Sequence, residues 1–113
     1  MSIDLTRFEN LKDAEFLSIS MQTPTSLKLT FHTQDSAKEF DWITLELTFE
    51  GVSDAKLLED NKLHLLNLED GATLLEQNKQ VGFAIGSYKR FEALKDSVCY
   101  VIASSIKMAI KAF

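Results

Sequence analysis

Two histidines, one cysteine and seventeen carboxylates are the side chains in this 113-residue chain that could carry acid–base, nucleophilic or metal chemistry. Neither His32 nor His64 stands in a zinc-site spacing, and there is no His-Glu-x-x-His or paired-cysteine motif. Both read as surface imidazoles, because nothing near them supplies the nucleophile and orienting carboxylate of a triad. Cys99, between Val98 and Tyr100 in an apolar stretch, reads as a small buried hydrophobe and not as a reactive thiol. A single cysteine also excludes an intramolecular disulfide and a cysteine-rich metal site. Gly82 and Gly86 lack the Lys-Ser/Thr of a phosphate loop and the turn-to-helix setting of a dinucleotide fingerprint. These residues predict a non-enzymatic protein with no catalytic residue, no metal and no cofactor.

The carboxylates are unevenly placed. From Glu39 to Asp70 nine acids stand against Lys56 and Lys62, a net of −7, whereas Lys79 to Phe113 carries six basic residues against Glu92 and Asp96, a net of +4. Solvated faces that partly neutralise each other are the favoured account of this split. The sharper account is an acidic surface that steers a basic protein partner. The pairs Glu59-Asp60 and Glu69-Asp70 precede Asn61 and Gly71, so they are turn formers first, and adjacent acids do not identify a glycosidase site. Phe40 and Trp42 share the polar register of their strand. They are either covered by the C-terminal element, the expected outcome, or exposed as a contact patch. The candidate binding residues are therefore Glu59, Asp60, Glu69, Asp70 and Trp42. The overall net charge of −5 argues against nucleic acid as a partner, since phosphate binding needs a basic surface.

The elements that must position these residues are mostly strands. From Ile43 to Phe49 every second residue is large and apolar (Ile43, Leu45, Leu47, Phe49), with Thr44, Glu46 and Thr48 between them. That period of two is a strand with one face on a core and one in water. Glu15 to Met21 (Leu17, Ile19, Met21 inward) and Ser26 to Thr33 (Leu27, Leu29, Phe31 inward) alternate likewise and read as a hairpin around Pro24. Val52 to Leu58 reads as a less regular edge strand and Lys62 to Leu68 as a short one. Leu58-Glu-Asp60 and Leu68-Glu-Asp70 are spaced like successive hairpins. Gln80 to Gly86 is a strand with Val81, Phe83 and Ile85 on one face. The small residues Gly82, Ala84 and Gly86 leave the other face able to accept a helix or an aromatic. Capping-box spacing at Thr6 and Glu9 predicts a helical turn over 7–12, and helix formers predict a short helix over 88–95. The segment 97–113 carries two patterns: alternation through Tyr100, Ile102, Ser104, Ile106 and Met108, and a helical stripe through Val98, Val101, Ile102, Ile106, Ala109, Ile110 and Phe113. A strand to about Met108 is the favoured reading.

The order Leu11-Lys-Asp-Ala14 into an alternating strand, then Leu45-Glu-Leu-Thr-Phe-Glu-Gly-Val-Ser-Asp54, then Tyr100-Val-Ile-Ala-Ser-Ser-Ile106, resembles small bacterial β-rich proteins, several of them immunity proteins of polymorphic toxin systems. Where a histidine commonly precedes Asp-Ala in those families, this chain has Lys12. The resemblance implies a binding protein that blocks a toxin by covering its active site, and it implies no catalytic residue.

The expectation is one domain over residues 1–113, α+β and mostly β: an antiparallel sheet of about six to eight strands, as a sandwich or half-barrel, with one or two short helices. Its expected core is Leu17, Ile19, Leu27, Leu29, Phe31, Ile43, Leu45, Leu47, Phe49, Val81, Phe83 and Ile85. The leading function is an immunity-like protein-binding module that meets a basic protein partner through an acidic surface. The alternative is a small-molecule binder with a pocket in the curved sheet near Gly82, Ala84 and Gly86. The N-terminus has an early acid and no apolar run, and no stretch reaches the length of a membrane span, so a cytoplasmic, bacterial-type setting is expected.

Overall fold

Alternating apolar residues drive both sheets of this chain, and a computed structural model describes residues 3–66 and 68–112 of it, without the side chain of His64. Strand β1 (Glu15–Thr23) turns at Pro24 and Thr25 into β2 (Ser26–Asp35), and β2 pairs over its whole length with β3 (Asp41–Glu50). Strand β4 (Asp54–Lys56) follows, then β5 (Ala72–Gln77), β6 (Gln80–Ile85), β7 (Tyr100–Ala103) and β8 (Ser105–Ala112). They form two four-stranded antiparallel sheets, ordered β1-β2-β3-β8 and β4-β7-β6-β5. The helical segments among the described residues are 3-10 turns, at Leu5–Leu11, Ser36–Lys38, Asp60–Leu65 and Phe91–Asp96.

The two sheets are joined at one corner. Strand β3 continues into β4 through Gly51–Ser53, and β7 continues into β8 through Ser104. The Ser104 amide donates to the Glu50 carbonyl at 3.0 Å and the Ser53 amide to the Ile102 carbonyl at 2.9 Å, so the two ribbons bend together without losing their ladder. Gly51 takes a left-handed φ of +66° there, and a Cβ on it would run into the Ser104 side chain. The inward residues of both sheets then meet. Phe83 of the second sheet lies 6.1 Å from Phe31 and 5.7 Å from Phe49 of the first, ring centre to ring centre.

Ten of the twelve expected core residues are buried; Leu17 and Ile19 of β1 are not. The register of β1 shifts between Phe16 and Ser18, so the bulge displaces Leu17 and turns Phe16 inward against Phe31 at 4.4 Å. Ile19 packs against the core while partly buried, and Met21 is 62% exposed. The expected strand over 62–68 is instead the 3-10 turn Asp60–Leu65, with Asn67 outside the described residues. Leu63 is buried there and Leu65 is 72% exposed, so the leucines do not keep one face. The Leu-Glu-Asp echoes are accordingly not two hairpins. The second leads through Gly71 into β5, a strand the alternation did not announce. The first 3-10 turn is capped by Asp4, whose carboxylate accepts from the Thr6 amide at 2.9 Å and hydroxyl at 2.6 Å, and not by Thr6 itself. The helix expected over 88–95 is the 3-10 turn Phe91–Asp96. In the C-terminal segment alternation prevails over the helical stripe, as β7 and β8; Phe113 lies outside the described residues.

The small-residue face of β6 is covered as its composition required. A Cβ on Gly82 would meet Leu94 and Phe91, and Ala84 packs with Leu94, Tyr100 and Ile102. Those side chains fill the space over Gly82 and Ala84 where the small-molecule alternative had put its pocket. No helix among the described residues is long and apolar enough to cross a membrane.

Candidate functional site

Asp35, at the end of β2, is fully buried and organises one end of the molecule. Arg7 donates to it twice, from Nε to Oδ1 and from Nη2 to Oδ2, each at 2.8 Å. The same carboxylate accepts from the Ala37 amide at 3.0 Å. The Arg7 hydrogen bonds hold the Asp35 carboxyl below its ordinary range, against burial, which pushes it up. The Ser36 hydroxyl donates to the Arg7 carbonyl at 2.8 Å, and the Phe40 amide to the Asp35 carbonyl at 2.9 Å. The β2–β3 connection is thereby tied to the N-terminal turn. Its last residues are held with φ of +57° at Glu39 and +64° at Phe40, uncommon values for side chains of this size.

The result is a run of four exposed residues, Glu39, Phe40, Asp41 and Trp42. Phe40 is 48% exposed and Trp42 46%. Among the described residues, β8 lies beside β3 in the sheet and not across its face, and both aromatics are about half exposed. That exposure is what the contact-patch reading of Trp42 requires.

Segment 8–13 brings a second acidic turn alongside. The Asp13 amide donates to the Leu68 carbonyl at 3.0 Å, and Gly71, at a φ of +70°, lets the backbone of residue 10 approach closely. A cleft of about 230 Å³ lies between Trp42 and Phe8, Glu9, Lys12 and Asp13. A second, of about 410 Å³, contains Asp4, Asn10 and Asp70, and Lys12 lines both. Trp42 and the Glu69-Asp70 turn therefore belong to one end of the protein, on either side of Lys12. Glu9 and Asp13, which line the first cleft, were read in the sequence as parts of a turn and a motif and not as site residues; long-range folding brings their segment to Trp42.

Glu59 and Asp60 do not join them. Asp60 Oδ1 accepts from the Ile19 amide at 3.0 Å, so it satisfies a donor on the open edge of β1 and is tied into the fold. Glu59 is exposed beside it. Several acids of the middle segment are neutralised by the basic tail, as the favoured account of the charge split expected. Lys107 meets Glu50 at 3.0 Å, Lys111 meets Glu46 at 3.2 Å and Lys95 meets Asp54 at 3.2 Å.

The other chemistry-bearing residues are placed as follows. His32 Nδ1 stands 3.4 Å from Glu15 on the outer face of the first sheet, while the side chain of His64 lies outside the described residues. Cys99 is buried, and burial pushes its thiol up to about 11. Among the described residues no three His, Cys, Asp or Glu side chains cluster as metal ligands. A third cleft, of about 510 Å³ and largely apolar, is lined by Leu58, Leu65, Ile85, Tyr88 and Val98, beyond the Gly86 end of β6. Comparison with protein-family models, with curated proteins and with solved structures finds no match.

Proposed function

We propose that this chain is a non-enzymatic protein-binding module, of the kind an immunity protein represents, built on a sandwich-like pair of sheets. Its contact surface is the end that carries Trp42 and the Glu69-Asp70 turn. The observation behind this reading is the exposed run Glu39-Phe40-Asp41-Trp42, which follows the Arg7–Asp35 pair with its buried carboxylate. Large aromatics on a fixed loop serve as binding anchors, and carboxylates around them favour a basic partner. Exposed carboxylates at this end draw that partner in more than those of the middle segment that pair with lysines of the tail.

The test begins with a partner recovered from native extract and a measurement of its affinity for wild type, Phe40→Ala and Trp42→Ala. Loss of roughly tenfold or more in affinity for either variant supports the reading. Unchanged affinity for both removes this surface. The apolar cleft beside Tyr88 favours a second reading, a small-molecule binder, since its size lies in the range of ligand pockets. A ligand that quenches tyrosine fluorescence there and raises the melting temperature would favour that reading.

A further inference from the structure

Each of the two sheets has two edge strands: β1 and β8 in the first, β4 and β5 in the second. An edge presents a row of unpaired N–H and C=O groups, and folded proteins guard such rows with short strands, bulges, prolines, charges or covering segments. Three of these edges have such guards. Strand β4 is only three residues long. Strand β1 changes register between Phe16 and Ser18 and between Met21 and Thr23. The 3-10 turn Asp60–Leu65 packs against it, and Asp60 Oδ1 takes up its Ile19 amide. Strand β5 is six residues long and has the turn Leu5–Leu11 packed against it.

Strand β8 is different. It runs eight residues in unbroken register with β3, without a proline or a bulge. Among the described residues it pairs with β3 alone, and the one further bond to its backbone also comes from β3, from the Thr44 hydroxyl to the Ala112 carbonyl at 3.5 Å. Its lysines are drawn back over the sheet: Lys107 meets Glu50 at 3.0 Å and Lys111 meets Glu46 at 3.2 Å, both glutamates of β3. On the inner face Ile106 is buried, whereas Met108 and Ile110 pack against the core and stay half-buried. The first sheet thus stops at β8 with backbone groups and apolar surface both unfinished.

We propose that β8 pairs antiparallel with β8 of a second copy of this chain, joining two four-stranded sheets into one of eight. The strand matches itself about Met108. A two-fold pairing centred there sets Met108 against Met108, Ile106 against Ile110, Lys107 against Ala109 and Ser105 against Lys111 of the second copy. Apolar residues then meet across the inner face, and each lysine meets a small neutral residue across the outer one. Centring on Ala109 sets Lys107 against Lys111, and centring on Lys107 or Lys111 sets a lysine against itself, so like-charge repulsion disfavours all three. Centring on Ile110 leaves Ser105 and Ile106 unpaired. A foreign strand would find the same backbone row. The self-matching order of side chains is what favours a second copy, and this pairing does not depend on the Trp42 surface.

The test is sedimentation velocity over roughly 1–100 μM, where wild type should pass from monomer to dimer. Ala109 is exposed and stands opposite Glu46 in its own sheet, so Ala109→Lys keeps the monomer folded. In the pairing the new lysine meets Lys107 of the second copy, twice by symmetry, and should weaken the dimer roughly tenfold. Unchanged melting at low concentration shows that this loss is not misfolding. Met108→Cys sets two thiols face to face at the two-fold and should form an interchain disulfide under mild oxidation. Ala109→Cys, out of step with its mate, should form much less. Cys99 is buried and does not compete. A wild type that stays monomeric throughout overturns the proposal. So does a dimer that Ala109→Lys leaves unchanged, or faster cross-linking through Ala109→Cys than through Met108→Cys.

Discussion

Leu47 and Thr48 are neighbours in β3 whose side chains lie on opposite faces, the first fully buried and the second half-buried on the outer face. Leu47→Ala opens a cavity between the sheets and should cost about 2–5 kcal/mol in urea unfolding. Thr48→Ala should cost less than about 1 kcal/mol, and equal losses would mean that the register is wrong. Asp35 is set by its partner in the same direct way. Its folded pKa lies below the unfolded value of about 3.9, so its stabilisation is present above that pH and is lost as pH falls through the folded value. Asp35→Asn should cost about 1.5–2 kcal/mol at pH 7, the lower part of the range for a charged hydrogen bond because Arg7 stays one-third exposed. The gap between wild type and variant should narrow progressively as pH falls below about 4, and a gap that does not change with pH would show that charge is not its origin. Cys99 gives a third test, since a thiol raised to about 11 by burial is neutral at pH 8. A disulfide reagent should modify it only at the rate of unfolding; fast modification of folded protein would show the site to be open.

Among the elements, the corner between the sheets depends most on a single residue. Gly51→Ala places a Cβ against Ser104 in a left-handed conformation and should cost about 1–3 kcal/mol, with hydrogen exchange accelerating first at the Ser104 and Ser53 amides. Uniform acceleration across both sheets would instead make the corner part of the global unfolding unit. The strands that proved legible, β2, β3 and β6, alternate strictly because each has distinct faces, and β-branched or aromatic residues mark them. Strand β1 was legible as a strand but not in register, because a bulge is a local exchange of one residue that no periodicity records. Strand β5 hides behind Thr73-Leu74-Leu75, consecutive residues that are all half-buried at a sheet edge. Leu-His-Leu-Leu over 63–66 looked like a strand for the same reason in reverse: leucines without a consistent face. Trp42 was legible as a candidate, yet the walls of its cleft were not. Glu9 and Asp13 reach it through a segment with left-handed φ at Glu9, Asn10, Leu11 and Asp13, backbone angles that composition does not announce.

At the scale of the whole molecule the acids divide by what they face. Glu46, Glu50 and Asp54 meet lysines, and Asp60 holds an edge amide, so changing them disturbs the fold. Asp41, Glu69 and Asp70 lie exposed around the Trp42 end. Exposed charges contribute little to stability, yet their summed field acts on an approaching partner over about 10 Å at moderate salt. Replacing Asp41, Glu69 and Asp70 by lysine should therefore leave the melting temperature within a few degrees of wild type while slowing association with the basic partner severalfold at low salt. The difference should shrink as ionic strength rises, because screening removes steering before it removes contacts. Glu46→Lys with Glu50→Lys is the control: it reverses a comparable charge, lowers stability by breaking the ladder of lysine pairs, and should change the on-rate less. An on-rate that falls equally in both variants would mean that net charge, and not this end of the protein, guides the encounter.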